Sequence, residues 1–280
     1  DDDAVYGLGA SNNKGAMAAM IYGALLYRDV GALKGITLRV VGSVMEGECE
    51  GLCYRSLLSS GLVNPDVVVL GKCTDLAVCR GHRGRIELKA VVTGQSTHAS
   101  TPERGRNAAY AAARIIARVK ELNQRLPEDR FLGKGSIAVT HLETPREQVF
   151  ITPGSCEFHI DRRLTKGESR EEAIEQMMAL APDINLEIEV LRYDRPSYTG
   201  QIFEVERYFP QWELPEDHAF IVAAASTAEE VLGRAAEPRP WSFSTNGVYT
   251  MGIASIPTLG FGPGSETQTH GVNDSVAIDD

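Results

Sequence analysis

The hydrophobic period of this 280-residue chain changes twice, and few folds accommodate both changes. Before Arg83 the apolar residues come in continuous runs, Ile36, Leu38, Val40, Val41 and Val44, then Val67 to Leu70. Such runs read as strands buried on both faces of a mostly parallel sheet. From Arg83 the pattern alternates strictly, with Ile86, Leu88 and Ala90 facing one way and Arg85, Glu87 and Lys89 the other, as in a half-exposed sheet. Helical spacing follows over Asn107 to Leu126, strands near Ser136 to Leu142 and Cys156 to Leu164, a helix over Glu168 to Leu180 and a strand over Ile184 to Tyr193. The order strand, helix, strand, strand, helix, strand is the split ferredoxin-like arrangement. After Tyr193 an aromatic, irregular stretch to Leu214 bridges back to a helix at Pro215 to Leu232 and to glycine loops with buried-strand character. The expected fold is therefore α/β, a mostly parallel-sheet domain over 1–83 and 195–280 into which a ferredoxin-like α+β domain, 84–194, is inserted.

Parallel sheets place their sites at the carboxyl ends of strands. The run Ile36 to Val44 ends in Glu46, Glu48 and Glu50, alternating with Gly47 and Cys49, and the run to Gly71 ends in Lys72-Cys73-Thr74-Asp75. Either these ends form a site or the acids are a solvated loop. Gly7 to Gly15 is a strand-to-helix turn ahead of a helix over Ala16 to Tyr27; Ser11, Asn12 or Asn13 can cap it, but its glycines match no phosphate-binding fingerprint. His98 and His270 lie in loops of small residues, where a lone histidine is more often a solvated surface residue than a ligand. Arg163, in Asp161-Arg162-Arg163, suits a substrate carboxylate or an ion pair with a neighbouring acid.

A net charge of -10 excludes nucleic acid and anionic membrane as natural partners, because both reward clustered Lys and Arg. Five scattered cysteines suit a reducing cytoplasm rather than a disulfide scaffold or a structural zinc site. No apolar run reaches the about 18 residues of a membrane span, and Asp1 to Tyr6 is unlike a signal peptide. A strand and glycine turn already under way by Val5 to Gly9 suggest a fragment.

Several short motifs then occur in one order: Tyr6-Gly7 with Gly9-Ala10 and Lys14-Gly15, Gly81-His82-Arg83-Gly84-Arg85, Gly94 to His98, Pro102 to Ala108, Asp161 to Thr165 with Gly167-Glu168, Phe243 to Gly247, Gly260 to Gly264, and His270. In these the chain resembles, over essentially its whole length, the zinc aminoacylase and carboxypeptidase family of acetylornithine deacetylase, succinyl-diaminopimelate desuccinylase and glutamate carboxypeptidase. Its nearest likeness there is to the hydrolases associated with selenium metabolism. The resemblance implies hydrolysis of an amide bond in an N-acyl amino acid or similar small molecule. Two zinc ions bridged by an aspartate and a water do the work, a glutamate moves the proton, and a histidine from the partner subunit's lid stabilises the intermediate. It also implies a homodimer through the inserted domain.

Carried over by position, the resemblance implies Glu46 as proton shuttle, His98 as the trans-acting histidine, Arg163, Asn107 and Gly262 as substrate-binding positions and His270 as a metal ligand. Three further ligand positions are changed: Asn12 stands for the bridging aspartate, Gly47 for the second glutamate of a pair and Lys72 for a carboxylate, with Cys73 beside it in place of a proline. The remaining histidine ligand belongs to a strand that would precede Asp1. A unit positive charge about 4 Å from a dication costs on the order of 8 kcal/mol at an effective dielectric near 20. The expectation is a degraded site that does not hold two zincs, in a chain that is catalytically silent and pairs with itself or with an active paralogue. Two alternatives stay open: a rearranged or single-metal hydrolase drawing on Glu48, Glu50, Cys49 and Cys73, and a metal-free enzyme using Glu46 and Lys72. In the second, the simpler role for Lys72 is to neutralise acids that no metal neutralises. The substrate is not legible.

Overall fold

The computed structural model describes residues 3–145, 149–269 and 271–280, so His270 lies outside the described residues. The chain divides into two compact units, Asp1–His82 with Trp212–Asp280, and Arg83–Gln211.

In the second unit the strand Gly84–Thr93 pairs antiparallel with Ser155–Leu164 along its whole length and with Leu186–Val190, and Ser136–Glu143 adds to the outer edge of Ser155–Leu164. The four strands thus lie in the spatial order fourth, first, third, second, the ferredoxin-like order. The helices Ala108–Arg125 and Arg170–Ala179 pack on one face, where Ile86, Leu88, Ala90, Phe158, Ile160, Ile115 and Met177 form the core. Both helices begin on side-chain caps: Asn107 accepts from the Ala109 amide, and Ser169 forms a capping box with Glu172. On the other face the alternation of Gly84–Thr93 leaves Arg85, Glu87 and Lys89 to make ion pairs.

The unit runs on to Gln211 because Tyr208–Phe209 pairs with Ile86 and Arg85, whereas Trp212–Glu213 pairs with His82 and Gly81 of the first unit. The aromatic stretch after Tyr193 is therefore strand-paired at its end.

The first unit holds a mixed sheet of short strands. Thr258–Gly260 runs parallel to Val68–Leu70, Arg239–Trp241 runs parallel to Cys79–His82, and the two pairs join through an antiparallel contact between Gly260 and Cys79. Ala4–Tyr6 pairs with Ser275–Ala277. The helix Ala219–Leu232 buries Ile221 and Ala228 against Val78, Leu214 and Leu259. Gly260 is required where it stands: a Cβ there would lie 1.9 Å from the Trp241 ring.

The run Ile36 to Val44 departs from expectation. It forms no strand, joins no sheet and leaves Ile36, Leu38, Val40 and Val44 exposed. A β-type sequence becomes a strand only beside a hydrogen-bonding neighbour, and none of the sheets takes it in. The helix after the first turn forms as expected, Gly15–Asp29, but no side chain caps it.

Candidate functional site

The strands Val68–Leu70 and Thr258–Gly260 run parallel, so their following loops leave the same end of the sheet side by side. Thr74 stitches the two loops together. Its amide and hydroxyl both donate to the Gly262 carbonyl, at 3.3 and 3.1 Å, and the Gly262 amide is 3.0 Å from its hydroxyl. The loops approach so closely that a Cβ on Gly262 would sit 2.4 Å from the Lys72 carbonyl oxygen. That contact accounts for glycine at 262.

Lys72 points its buried side chain into the ground between three distant segments. Its Nζ lies 2.9 Å from Glu46 Oε1 and 3.2 Å from Asn12 Oδ1, and 5.3 Å over the centre of the Phe243 ring. The lysine side chain is 9% exposed and that of Glu46 23%. The cost of enclosing an ammonium is offset here by an opposite charge, an amide oxygen and an aromatic face. Met45, with φ 66°, turns the chain so that Glu46 meets it. Gly47 faces open space, with no atom within 4 Å of where a Cβ would stand.

Neighbouring acids serve the scaffold. Glu50 is buried and accepts from the Ser244 hydroxyl at 2.6 Å, while Asn246 accepts from the Gly51 amide at 2.8 Å. Asp274 accepts from the Gly9 and Ser11 amides at 2.6 and 2.8 Å, which fastens the turn carrying Asn12. Arg239 binds Glu266, the Thr74 carbonyl and Asp75, and Glu266 in turn takes the Ser242 amide and hydroxyl. Cys73 is buried with its sulfur 3.2 Å from the Thr269 hydroxyl, and burial pushes its thiol above the ordinary range. Among the described residues no three His, Cys, Asp or Glu side chains are grouped so as to hold a metal ion. Glu48, Glu50, Cys49 and Cys73 are thus not gathered into one site.

The other candidate residues lie in the second unit. His98 is exposed, and its Nδ1 accepts from the Ser100 amide at 3.2 Å with the Ser100 hydroxyl at 2.7 Å. Two neighbours at Nδ1, one of them an amide that can only donate, place the proton of the neutral ring on Nε2. The ring rests against Phe150, centroids 5.8 Å apart. Arg163 forms a two-pronged pair with Asp161, at 2.7 and 3.2 Å, and Arg85 contacts the same carboxylate at 3.1 Å. Arg85 pairs with Glu87 as well, so both arginines are engaged by acids of their own sheet. Asn107 is engaged as the helix cap.

Sequence reading gave no role to Phe243, Asp274 or the Arg239–Glu266 pair, whose roles arise only from long-range contacts. His82 stood there only as part of a motif; it is fully buried and accepts from the Trp212 indole at 2.7 Å and the Thr245 amide at 3.0 Å.

Residues 80–189 match the peptidase M20 dimerisation domain. The chain is 40% identical over 275 residues to the YgeY protein of Escherichia coli K12, a match covering 98% of this chain and 68% of that protein. The chain belongs to the M20 zinc aminoacylase and carboxypeptidase family. A second M20 relative, acetylornithine deacetylase of Vibrio cholerae, is 26% identical over 280 residues, again across 98% of this chain and 68% of its own. The chain thus spans about two thirds of these relatives. Two solved structures share the M20 fold. The metallo-carboxypeptidase Sso-CP2 of Sulfolobus solfataricus has TM-score 0.68 and 15% identity, over 100% of this chain and 75% of its own. Aminopeptidase PepT of Bacillus cereus has TM-score 0.65 and 17% identity, over 94% and 66%. An M20 catalytic-type domain with an inserted dimerisation domain is therefore the architecture of this protein. No helix among the described residues is long and apolar enough to cross a membrane.

Proposed function

We propose that this chain is an M20 amidohydrolase homologue that has lost the two-zinc chemistry of its family, with the Lys72 ammonium standing where cationic charge is otherwise supplied by metal. The observation that carries the reading is the position of Lys72 Nζ, 2.9 Å from Glu46 and 3.2 Å from Asn12. Asn12 and Glu46 then present one neutral oxygen and one already neutralised carboxylate, and Lys72 itself repels a dication. That donor set does not fit two zincs. Gly47 adds no side chain to it.

A second reading is supported by the same pair. Glu46 and Lys72, enclosed beside Phe243, are an acid and a base in contact, the composition of a metal-free proton-transfer site. In either reading the ligand is a small molecule. By the family resemblance, Arg163 and His98 of the inserted unit are the positions proposed for a carboxylate and an oxyanion. The match of residues 80–189 to a dimerisation domain supports a homodimer through the inserted domain, with a heterodimer with an active paralogue as the other pairing. Five free thiols suit a reducing compartment such as the cytoplasm.

The test is zinc per chain by elemental analysis, after purification without chelator, exposure to excess zinc and desalting. No retained zinc is expected. Two equivalents overturn the proposal, and one equivalent replaces it with a rearranged single-metal site. Glu46→Gln separates the two readings, since it abolishes turnover in an activity screen only if the pair is catalytic.

A further inference from the structure

Two loops of the second unit, laced to each other by hydrogen bonds, carry His98 and Phe150. The Gly94 amide donates to the Gly154 carbonyl at 2.8 Å, the Thr152 amide to the Thr97 carbonyl at 2.9 Å and the Ala99 amide to the Phe150 carbonyl at 2.7 Å. The buried Thr152 hydroxyl accepts from the Thr97 amide at 3.0 Å and donates to the Thr97 carbonyl at 3.3 Å. A Cβ on Gly154 would stand 2.5 Å from the Ser96 hydroxyl, so the loops meet with no room for a side chain between them. An antiparallel bridge from His98 to Ile151 then sets the histidine beside Phe150.

This mount presents one directed donor and one apolar ring. Ser100 engages Nδ1 of His98, which leaves the Nε2–H on the far side of an exposed imidazole. Phe150, its ring inclined by 31° to that imidazole, is 51% exposed, and Val149 next to it is fully exposed. A single exposed phenylalanine carries no meaning by itself. Fixed against a directed N–H on a hydrogen-bonded mount, it has the composition of a small-molecule site, a few placed polar groups among apolar surface.

We infer that Phe150 is a specificity-determining residue, which selects a ligand whose acyl group is aromatic or branched over one whose acyl group is acetyl. The inference rests on the proposed role of His98 as donor to a ligand oxygen, and not on whether zinc is bound. A group bonded to a carbonyl carbon stands beside the carbonyl oxygen, as Phe150 stands beside His98. An apolar acyl body laid on Phe150 removes water from both surfaces and from the hydrogen bond at Nε2, which strengthens that bond. An acetyl group is too small to cover the ring and gains little from it.

The test titrates the 280-residue chain with N-benzoylglycine and with N-acetylglycine, reading affinity from saturation transfer to the ligand. The parent is expected to bind the benzoyl probe at least about 10-fold more tightly. Phe150→Ala reduces that preference to below about 3-fold with acetyl affinity unchanged, Phe150→Leu retains most of it, and His98→Gln weakens both probes alike. Because Phe150 is half exposed, the urea midpoint of Phe150→Ala matches that of the parent. Equal affinity for the two probes overturns the inference, as does binding of neither below about 10 mM. So does an equal loss of both probes in Phe150→Ala, which assigns the ring to support of His98, and so does a preference that His98→Gln leaves untouched together with both affinities. Zinc is counted on the same sample. Two equivalents with the preference intact overturn the proposed loss of metal and uphold this inference, whereas no zinc and no preference does the reverse.

Discussion

Lys72 shows how one buried charge draws distant segments of a chain together. Its ammonium is held by a carboxylate, a carboxamide oxygen and an aromatic ring contributed from three parts of the chain. Lys72→Met removes the charge and leaves Glu46 half-enclosed without its cation, so a loss of about 1–3 kcal/mol is expected in urea denaturation. The reverse experiment places acids where the proposed reading says the family's metal ligands stand: Asn12→Asp, Gly47→Glu and Lys72→Glu together are expected to raise zinc retention from none to at least one equivalent. Open space at Gly47 leaves room for the new carboxylate. Cys79 supplies a pH dependence. Burial, the largest cause, pushes its thiol up to about 12, partly offset by Arg239. The folded protein therefore keeps the proton that the unfolded chain loses near pH 9. The stability this confers is complete below about pH 9 and falls by up to about 1.4 kcal/mol per unit as pH rises through about 12. Cys79→Val lacks that component, so its urea midpoint, compared with the parent's at about pH 8 and about pH 10.5, falls less over the interval.

At the scale of elements, loops are positioned by close approach more than by apolar packing. Gly262→Ala places a methyl group against the Lys72 carbonyl and must part the two loops that Thr74 joins. Overpacking of this kind costs about 1–3 kcal/mol, and it is expected to lower the thermal midpoint and to loosen the Lys72 contacts together. Helix caps in the second unit behave independently. Asn107→Ala is expected to cost about 1 kcal/mol, the usual worth of an N-cap, with no change in zinc content. If Asn107 also binds ligand, its loss weakens small-molecule affinity by more than Ser169→Ala does at matched stability. Sequence reading named Ser11, Asn12 or Asn13 as a cap for the first helix, where none forms, and did not name these two, although each cap and its helix lie within three residues of each other. The Gly262 contact was beyond such a reading, because 190 positions separate it from its partner.

At the scale of the molecule, the strand Ser136–Glu143 is an open edge of the second sheet and carries an exposed Leu142. Leu142→Arg is expected to shift the protein from dimer to monomer in sedimentation if the inserted domain pairs through that edge. The ferredoxin-like unit was legible in the sequence because its signals are local: strict alternation over Gly84–Thr93 and Ser155–Leu164, helical spacing over Ala108–Arg125, and antiparallel partners that follow one another closely. Family membership was legible for a related reason, since each motif is a short run whose order survives without any structure. The run Ile36 to Val44 was misread because strand formation is a property of a pair, and hydrophobic periodicity cannot say whether the partner is present. The site around Lys72 lay beyond sequence for the same physical reason. The order of residues along the chain by itself determined the layers and set Asn12, Gly47 and Lys72 at the ends of their segments. Only the tertiary structure could bring Asn12, Glu46 and Phe243 within reach of one ammonium, because electrostatic contact depends on distance through space and not along the chain.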